Sequence, residues 1–218
     1  MGLACCRMPG AFPLRPAEGK HRLFEGLTAK QSMIRRTIDF ILFAALALGA
    51  AHAQDHRPVE PEAYRSDNYR SPTPASLRGA RTVPTAEAEA IWRTGAAAFI
   101  DVMPHVPRPA NLPAGTLWRE KARLNIPGSI WLPDTGYGEL AAVMEGYLRA
   151  GLERVSGGDR AKLLVIYCQR DCWMSWNAAK RAVSWGYSAV VWFPDGTDGW
   201  QEAGLPLENG TPTPRPGE

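Results

Sequence analysis

The sequence predicts an α/β protein built on a doubly wound parallel sheet with helices on both faces. Three observations lead there: short apolar runs of strand length, longer stretches of helical period between them, and glycines that close those stretches. Strands that alternate with helices are joined by crossovers, and crossovers make neighbouring strands parallel.

The elements follow in order. Thr85 is placed to cap a helix over AEAEAIWRTG, which Gly95 ends. Residues 96 to 102, AAAFIDV, are apolar enough for a buried strand, and the next seventeen, with four prolines, read as loop. Ile130-Trp131-Leu132 follows Pro127-Gly128 as a second short strand. Residues 139 to 155 carry a helical period that Gly157-Gly158 stops. Lys162 to Tyr167 is the most hydrophobic strand, Ser175 to Trp185 a helix ended by Gly186, and Ala189 to Phe193 the last strand. Asp195 and Asp198, in the run PDGTDG, read as turn-capping carboxylates.

The ends of the chain read differently. From Met33, two arginines, an apolar stretch of about a dozen residues and Ala51-His52-Ala53 have the form of a cleavable secretory signal over 33–53. That stretch is shorter than the roughly 20 residues of a membrane span. The reading is therefore of a periplasmic protein that spans no membrane once cleaved. Residues 1–32, with Cys5 and Cys6, read as an over-extended start. Residues 54–82 form a proline-rich extended arm whose Tyr64 and Tyr69 are placed to pin it to the domain, 83–208 the domain, and 209–218 a disordered tail.

Removing residues 1–53 takes seven of the 25 basic and three of the 22 acidic residues, leaving 18 against 19. A nearly neutral chain offers no basic stripe for phosphates, so nucleic acid is not an expected partner. Two cysteines remain, Cys168 and Cys172, and both fall in LLVIYCQRDCWMSWNAA, where the hydrophobic strand meets a polar loop that opens a helix. In a doubly wound sheet, ligands bind beyond the carboxyl ends of the strands. A thiol there meets unsatisfied N–H groups and the positive end of a helix, which favour the thiolate. Two thiols four residues apart can also pair as a disulfide, and the small ring makes that bond a switch rather than a staple. Copper binding is a further reading, weakened because only His56 and His105 survive in the mature chain. No metal site and no cofactor are predicted.

Several motifs together carry a resemblance. Asp101-Val102 at a strand end, Asn125-Ile126-Pro127-Gly128-Ser129-Ile130, and Asp195 to Trp200 followed by Ala203-Gly204-Leu205-Pro206 resemble the signatures of rhodanese-like domains. Residues 167 to 181, with Cys172-Trp173, are similar to a secreted bacterial group of that family named for a Cys-Cys-Trp motif. That group is associated with catabolism by PQQ-dependent (quinoprotein) dehydrogenases. The resemblance implies a rhodanese-like fold and places Cys168 at the position that carries sulfur as a persulfide, with Cys172 as resolving thiol or disulfide partner. It makes Arg170, Trp173 and Ser175 candidate anion-binding loop residues, and Asp101 a supporting one. The substrate class it implies is a small sulfur compound, and the partner a periplasmic quinoprotein dehydrogenase or its cytochrome.

The loop departs from the family's usual form. Trp173 stands where an arginine is usual, the loop is one residue longer, and Asp171 sits beside Arg170, its one cation. Thiosulfate transfer is accordingly not favoured. Two function classes stay open: a sulfur-transfer or thiol-redox enzyme acting through the cysteine pair, and a non-catalytic module that docks a quinoprotein dehydrogenase or cytochrome.

Overall fold

The structure is a computed structural model that describes residues 57–217, apart from positions 107, 110 and 120. The early start, the signal segment and the first residues of the arm lie outside the described residues. Residues 56–218 cluster as one compact unit.

Among the described residues, seven strands and four helices follow one another: β1 (Arg81–Thr82), α1 (Thr85–Arg93), β2 (Ala98–Asp101), β3 (Leu124–Asn125), β4 (Ile130–Trp131), α2 (Ala142–Ser156), β5 (Leu164–Tyr167), α3 (Trp173–Ser184), β6 (Val190–Phe193), α4 (Gly196–Glu202) and β7 (Glu208–Asn209). Five strands form the main sheet in the order β1-β6-β5-β2-β4, with every pairing parallel. The parallel α/β sheet expected from the sequence is the observed architecture.

Burial on both faces explains the apolar runs. Successive strand side chains point to opposite faces. Ile100, Leu164, Ile166, Val190 and Trp192 therefore share one core with Leu148 and Leu152 of α2 and Ala178 and Ala182 of α3. Phe99, Val165, Tyr167, Val191 and Phe193 share the other with Ala88 and Ile91 of α1 and Trp200 of α4.

The chain leaves β2 outward to β4 and returns through α2 to β5 on the other side of β2. The direction of winding reverses between β2 and β5, and at such a reversal the strand ends diverge into a crevice. Asp101, the last residue of β2, stands in register with Tyr167, the last of β5. Cys168 is the next residue.

Three expectations need correction. Thr85 is the first helical residue rather than the cap; Pro84 precedes it, and the Thr85 hydroxyl is bonded to the Asp195 carboxylate, 3.2 Å away. The PDGTDG run is not only a turn, because Gly196–Glu202 is helical: burying Trp200, whose indole N–H reaches the Pro206 carbonyl at 2.8 Å, overrides the local turn preference. Where a disordered tail is predicted from residue 209, β7 pairs antiparallel with β3, Thr213 N–H donates to Trp131 O at 2.8 Å, and Tyr147 donates to Thr213 O at 2.6 Å. Proline-rich chain has few donors of its own, but here the Thr213 N–H reaches the β4 edge of the sheet and the Thr213 carbonyl accepts from α2.

The arm runs antiparallel along α3. Lys180 donates to Pro61 O at 3.3 Å and the Arg181 guanidinium stacks 4.2 Å from the Tyr64 ring. Asn177 is bonded to both the N–H and C=O of Arg65 (2.9 and 2.8 Å), and the Trp173 N–H donates to Tyr69 O at 2.9 Å. The segment satisfies its backbone against another element rather than within itself, which is why it carries no period of its own.

Candidate functional site

The cysteine loop joins two elements that treat their thiols oppositely. Cys168 continues the fully buried β5 and is 0% exposed, whereas Cys172 is the N-cap of α3 and is 2% exposed. The Cys168 sulfur lies 3.4 Å from the Cys172 carbonyl oxygen, 3.6 Å from that of Gln169, and within hydrogen-bonding reach of the Cys172 sulfur. Both sulfurs are unbridged thiols. One S–H proton faces three acceptors, and a charged acceptor binds it most strongly.

Burial, then the neighbouring Cys172, pushes the Cys168 thiol well above its ordinary value. Donation from Cys168 leads in pulling Cys172 down to about 7, against the opposing effect of its own burial. The Met174 N–H, in the first turn of α3, and the guanidinium of Arg70 add to that pull. With one proton between them, the buried strand end favours the S–H on Cys168 and the helix terminus favours the negative sulfur on Cys172. The helix terminus is where the negative sulfur is best solvated.

Arg70 belongs to the arm. It stands opposite Cys172 in an isolated antiparallel bridge, and its Nη1 donates to Arg170 O at 2.8 Å. The loop's own cation is turned away: Arg170 makes a two-pronged pair with Glu202 of α4 (2.6 Å each) and lies 3.7 Å from Asp195. Its charge is taken up by Glu202 and Asp195 rather than offered to a ligand. Trp173 is 2% exposed, with its indole N–H on Ser71 Oγ at 3.1 Å and its ring edge-on to Trp176 at 5.3 Å. It packs the arm onto the helix. The Ser175 hydroxyl donates to Cys172 O at 3.3 Å, accepts the Trp192 indole N–H at 3.1 Å and favours the charged form of Cys168.

Asp101 is fully buried and ion-paired with Arg123 at 2.7 Å, and also accepts the Met103 N–H at 2.8 Å. Burial pushes the Asp101 carboxyl up, against the pull of Arg123. Desolvation works against the Arg123 cation, but the Asp101 carboxylate outweighs it and holds the guanidinium charged. Arg123 spends its other donors on Cys168 O (2.8 Å) and Thr197 Oγ1 (3.1 Å), while the Thr197 N–H also reaches Cys168 O at 3.2 Å. Asp101 therefore acts on the loop through Arg123. Gly196 allows the close approach on this side, since a Cβ there would stand 2.7 Å from Cys168 O. A cleft of about 440 Å³ opens beyond Arg123, lined among others by Trp118, Lys121, Trp131 and Gln169; neither cysteine faces it.

Of the residues singled out from the sequence, Cys168, Cys172, Ser175 and Trp173 are brought together, Asp101 acts at one remove, and Arg170 faces elsewhere. Arg70, Arg123 and Thr197 are members the sequence reading missed. The one available signal for Arg123 is its place two residues before the Asn-Ile-Pro-Gly motif, at the end of a run that also holds Arg119 and Lys121; none marks Arg70. No group of three or more His, Cys, Asp or Glu among the described residues is arranged to hold a metal ion. No described helix is long and apolar enough to cross a membrane.

No family model matches the chain, and no curated protein matches it. Among solved structures it is similar to a polysulfide-sulfur transferase homodimer from Wolinella succinogenes, over 60% of this chain and 79% of that one, at 19% identity and a TM-score of 0.38. A thiosulfate sulfurtransferase from Pseudomonas aeruginosa matches over 62% of this chain and 21% of its own, at 18% identity and a TM-score of 0.40. A human single-domain sulfurtransferase matches over 56% and 96%, at 20% identity and a TM-score of 0.33. At these identities and scores the likeness carries no activity across to this chain.

Proposed function

We propose that the chain is a dithiol protein that performs thiol–disulfide chemistry at Cys168 and Cys172, with Cys172 as the attacking thiolate and Cys168 as the resolving thiol. The observation that carries this is the unequal placement of two neighbouring thiols: Cys172 opens α3, whose free N–H groups draw its thiol down, while Cys168 ends the fully buried β5, whose desolvation pushes its thiol up. The roles are the reverse of those the family resemblance implies, and the reason is placement. A thiolate near neutrality is nucleophilic at working pH, and a neighbouring thiol within reach of it can close the disulfide.

Sulfur carriage is the second reading, favoured by the place of Cys168 at the end of β5 beside the winding reversal. The secreted location and the link to a periplasmic quinoprotein dehydrogenase or its cytochrome belong to the same proposal. They are supported by the signal-like segment and the resemblance of the Cys-Cys-Trp loop. Docking without catalysis is the competing class.

Intact-mass analysis of mature protein from its native compartment tests the reading. Thiol–disulfide chemistry expects a species about two daltons below the dithiol, lost in Cys168→Ser and in Cys172→Ser alike; sulfur carriage expects one about 32 above it, lost in one variant only. Host function that survives both substitutions sinks the chemical reading and leaves docking.

A further inference from the structure

Both thiols are covered by the protein's own chain. The segment Tyr69–Ser71 lies on Cys172 and Trp173 as an edge strand would: Tyr69 O accepts the Trp173 N–H, Arg70 stands opposite Cys172, and Ser71 Oγ accepts the Trp173 indole N–H. The Tyr69 hydroxyl accepts the Gly138 N–H at 3.0 Å, and its ring meets Tyr137 edge-on at 5.3 Å. With Cys172 only 2% exposed, a reacting partner reaches it by taking the place of this segment.

The groups then uncovered suit a backbone. They are an unpaired N–H at Trp173, a facing position at Cys172 and an indole donor beside them, the pattern by which an extended peptide adds to a strand edge. They do not suit a small sulfur anion. Arg70 leaves with the arm, Arg170 is bound to Glu202, and Arg123 is bound to Asp101 and the Cys168 carbonyl.

We infer that the substrate of the dithiol is a polypeptide bearing a disulfide, which pairs through its backbone with Cys172–Trp173 where Tyr69–Arg70 now lies. The inference rests on the dithiol reading above. The Cys172 thiolate attacks one sulfur of R–S–S–R′ and expels R′–S⁻, forming Cys172–S–S–R. Cys168 passes its proton to the leaving thiolate and attacks the Cys172 sulfur, expelling R–S⁻, which a solvent proton neutralises. Two electrons pass from the protein to the substrate, leaving one internal disulfide and two substrate thiols.

The test uses an eight-residue peptide of the sequence 66–73, with the Arg70 position replaced by a cysteine capped with a chromogenic aromatic thiol. Free cysteine carrying the same cap is the reference, and thiol release is followed in single turnover. The full chain and Tyr69→Ala/Arg70→Ala are compared, with Tyr69→Phe, which gives up only the hydroxyl on Gly138, as the variant that keeps its packing. The peptide is expected to react about tenfold faster than the capped cysteine, the scale of a net hydrogen bond. Weakening the arm is expected to speed the peptide reaction. Equal rates for the two probes in every chain overturn the inference while leaving the dithiol intact. A Cys172→Ser chain that reacts as fast as its parent overturns the dithiol reading as well.

Discussion

Asp101→Ala separates the two duties of the buried ion pair. Asp101 is fully buried, and the Arg123 side chain is 14% exposed, so the substitution leaves a guanidinium that has lost the carboxylate it pairs with among the described residues. Breaking a buried pair by removing one partner costs about 3 to 5 kcal/mol, because the remaining charge stays desolvated. For a unit of this size that corresponds to a fall in melting temperature of roughly 6 to 20 °C. Urea denaturation followed by tryptophan fluorescence reports it well, since Trp176, Trp192 and Trp200 are fully buried on the two faces of the sheet. The double variant Asp101→Ala/Arg123→Met removes both charges, and it is expected to be more stable than Asp101→Ala alone even though it gives up the bonds to Cys168 O and Thr197. A loss below about 1 kcal/mol for the single variant, or a double variant less stable than the single, refutes the view that a compensated buried charge holds this side of the loop.

The remaining predictions concern the loop. Cys172 lies below the ordinary thiol value, so its ultraviolet thiolate signal is expected to appear as pH rises through about 7; Cys168→Ala removes the leading cause and shifts that midpoint upward, with Arg70 and Tyr137 the other titratable groups facing it. A midpoint unmoved by Cys168→Ala refutes the shared proton. Arg170→Ala is expected to leave both the denaturation midpoint and the Cys172 titration unchanged, because its partner Glu202 is exposed and such pairs are screened; a shifted titration would show that Arg170 serves the sulfur after all. Gly196→Ala places a Cβ against Cys168 O at a positive φ of 51°, and urea titration should show a loss of about 1 to 3 kcal/mol.

The sheet was legible because its signal is local. Strands β2, β5 and β6 are buried on both faces and so read as unbroken apolar runs, and each long helix is closed by a glycine or by the turn before one. The cysteine pair was legible for the same reason, as two thiols at a strand–helix junction. Arg70 and Arg123 were not, because each reaches the loop across a sequence distance of 45 to 100 residues. The arm looked structureless for a physical cause: its backbone finds its partners on α3 and the cysteine loop, so neither period nor composition records them. In α4, three turn-forming residues outweighed the one buried tryptophan that decides the conformation.

The asymmetry of the two thiols follows from their spacing. Cys168 is the last residue to share the burial of β5, and Cys172 is the residue that opens α3, so the three residues between them are the whole turn from sheet to helix. One sulfur inherits the desolvation of a central strand, and the other inherits the free N–H groups and positive end of a helix. Inside that turn the backbone doubles back tightly, with Asp171 at a positive φ of 51°. A shorter spacing would draw both sulfurs onto the helix terminus, where they would compete for the same donors. A longer one would carry Cys172 away from the reach of the Cys168 S–H. The three-residue spacing is thus what divides the pair into a thiol at the helix terminus and a proton donor at the strand end. The cation beside Cys172 comes from outside the loop, as Arg70 of the arm.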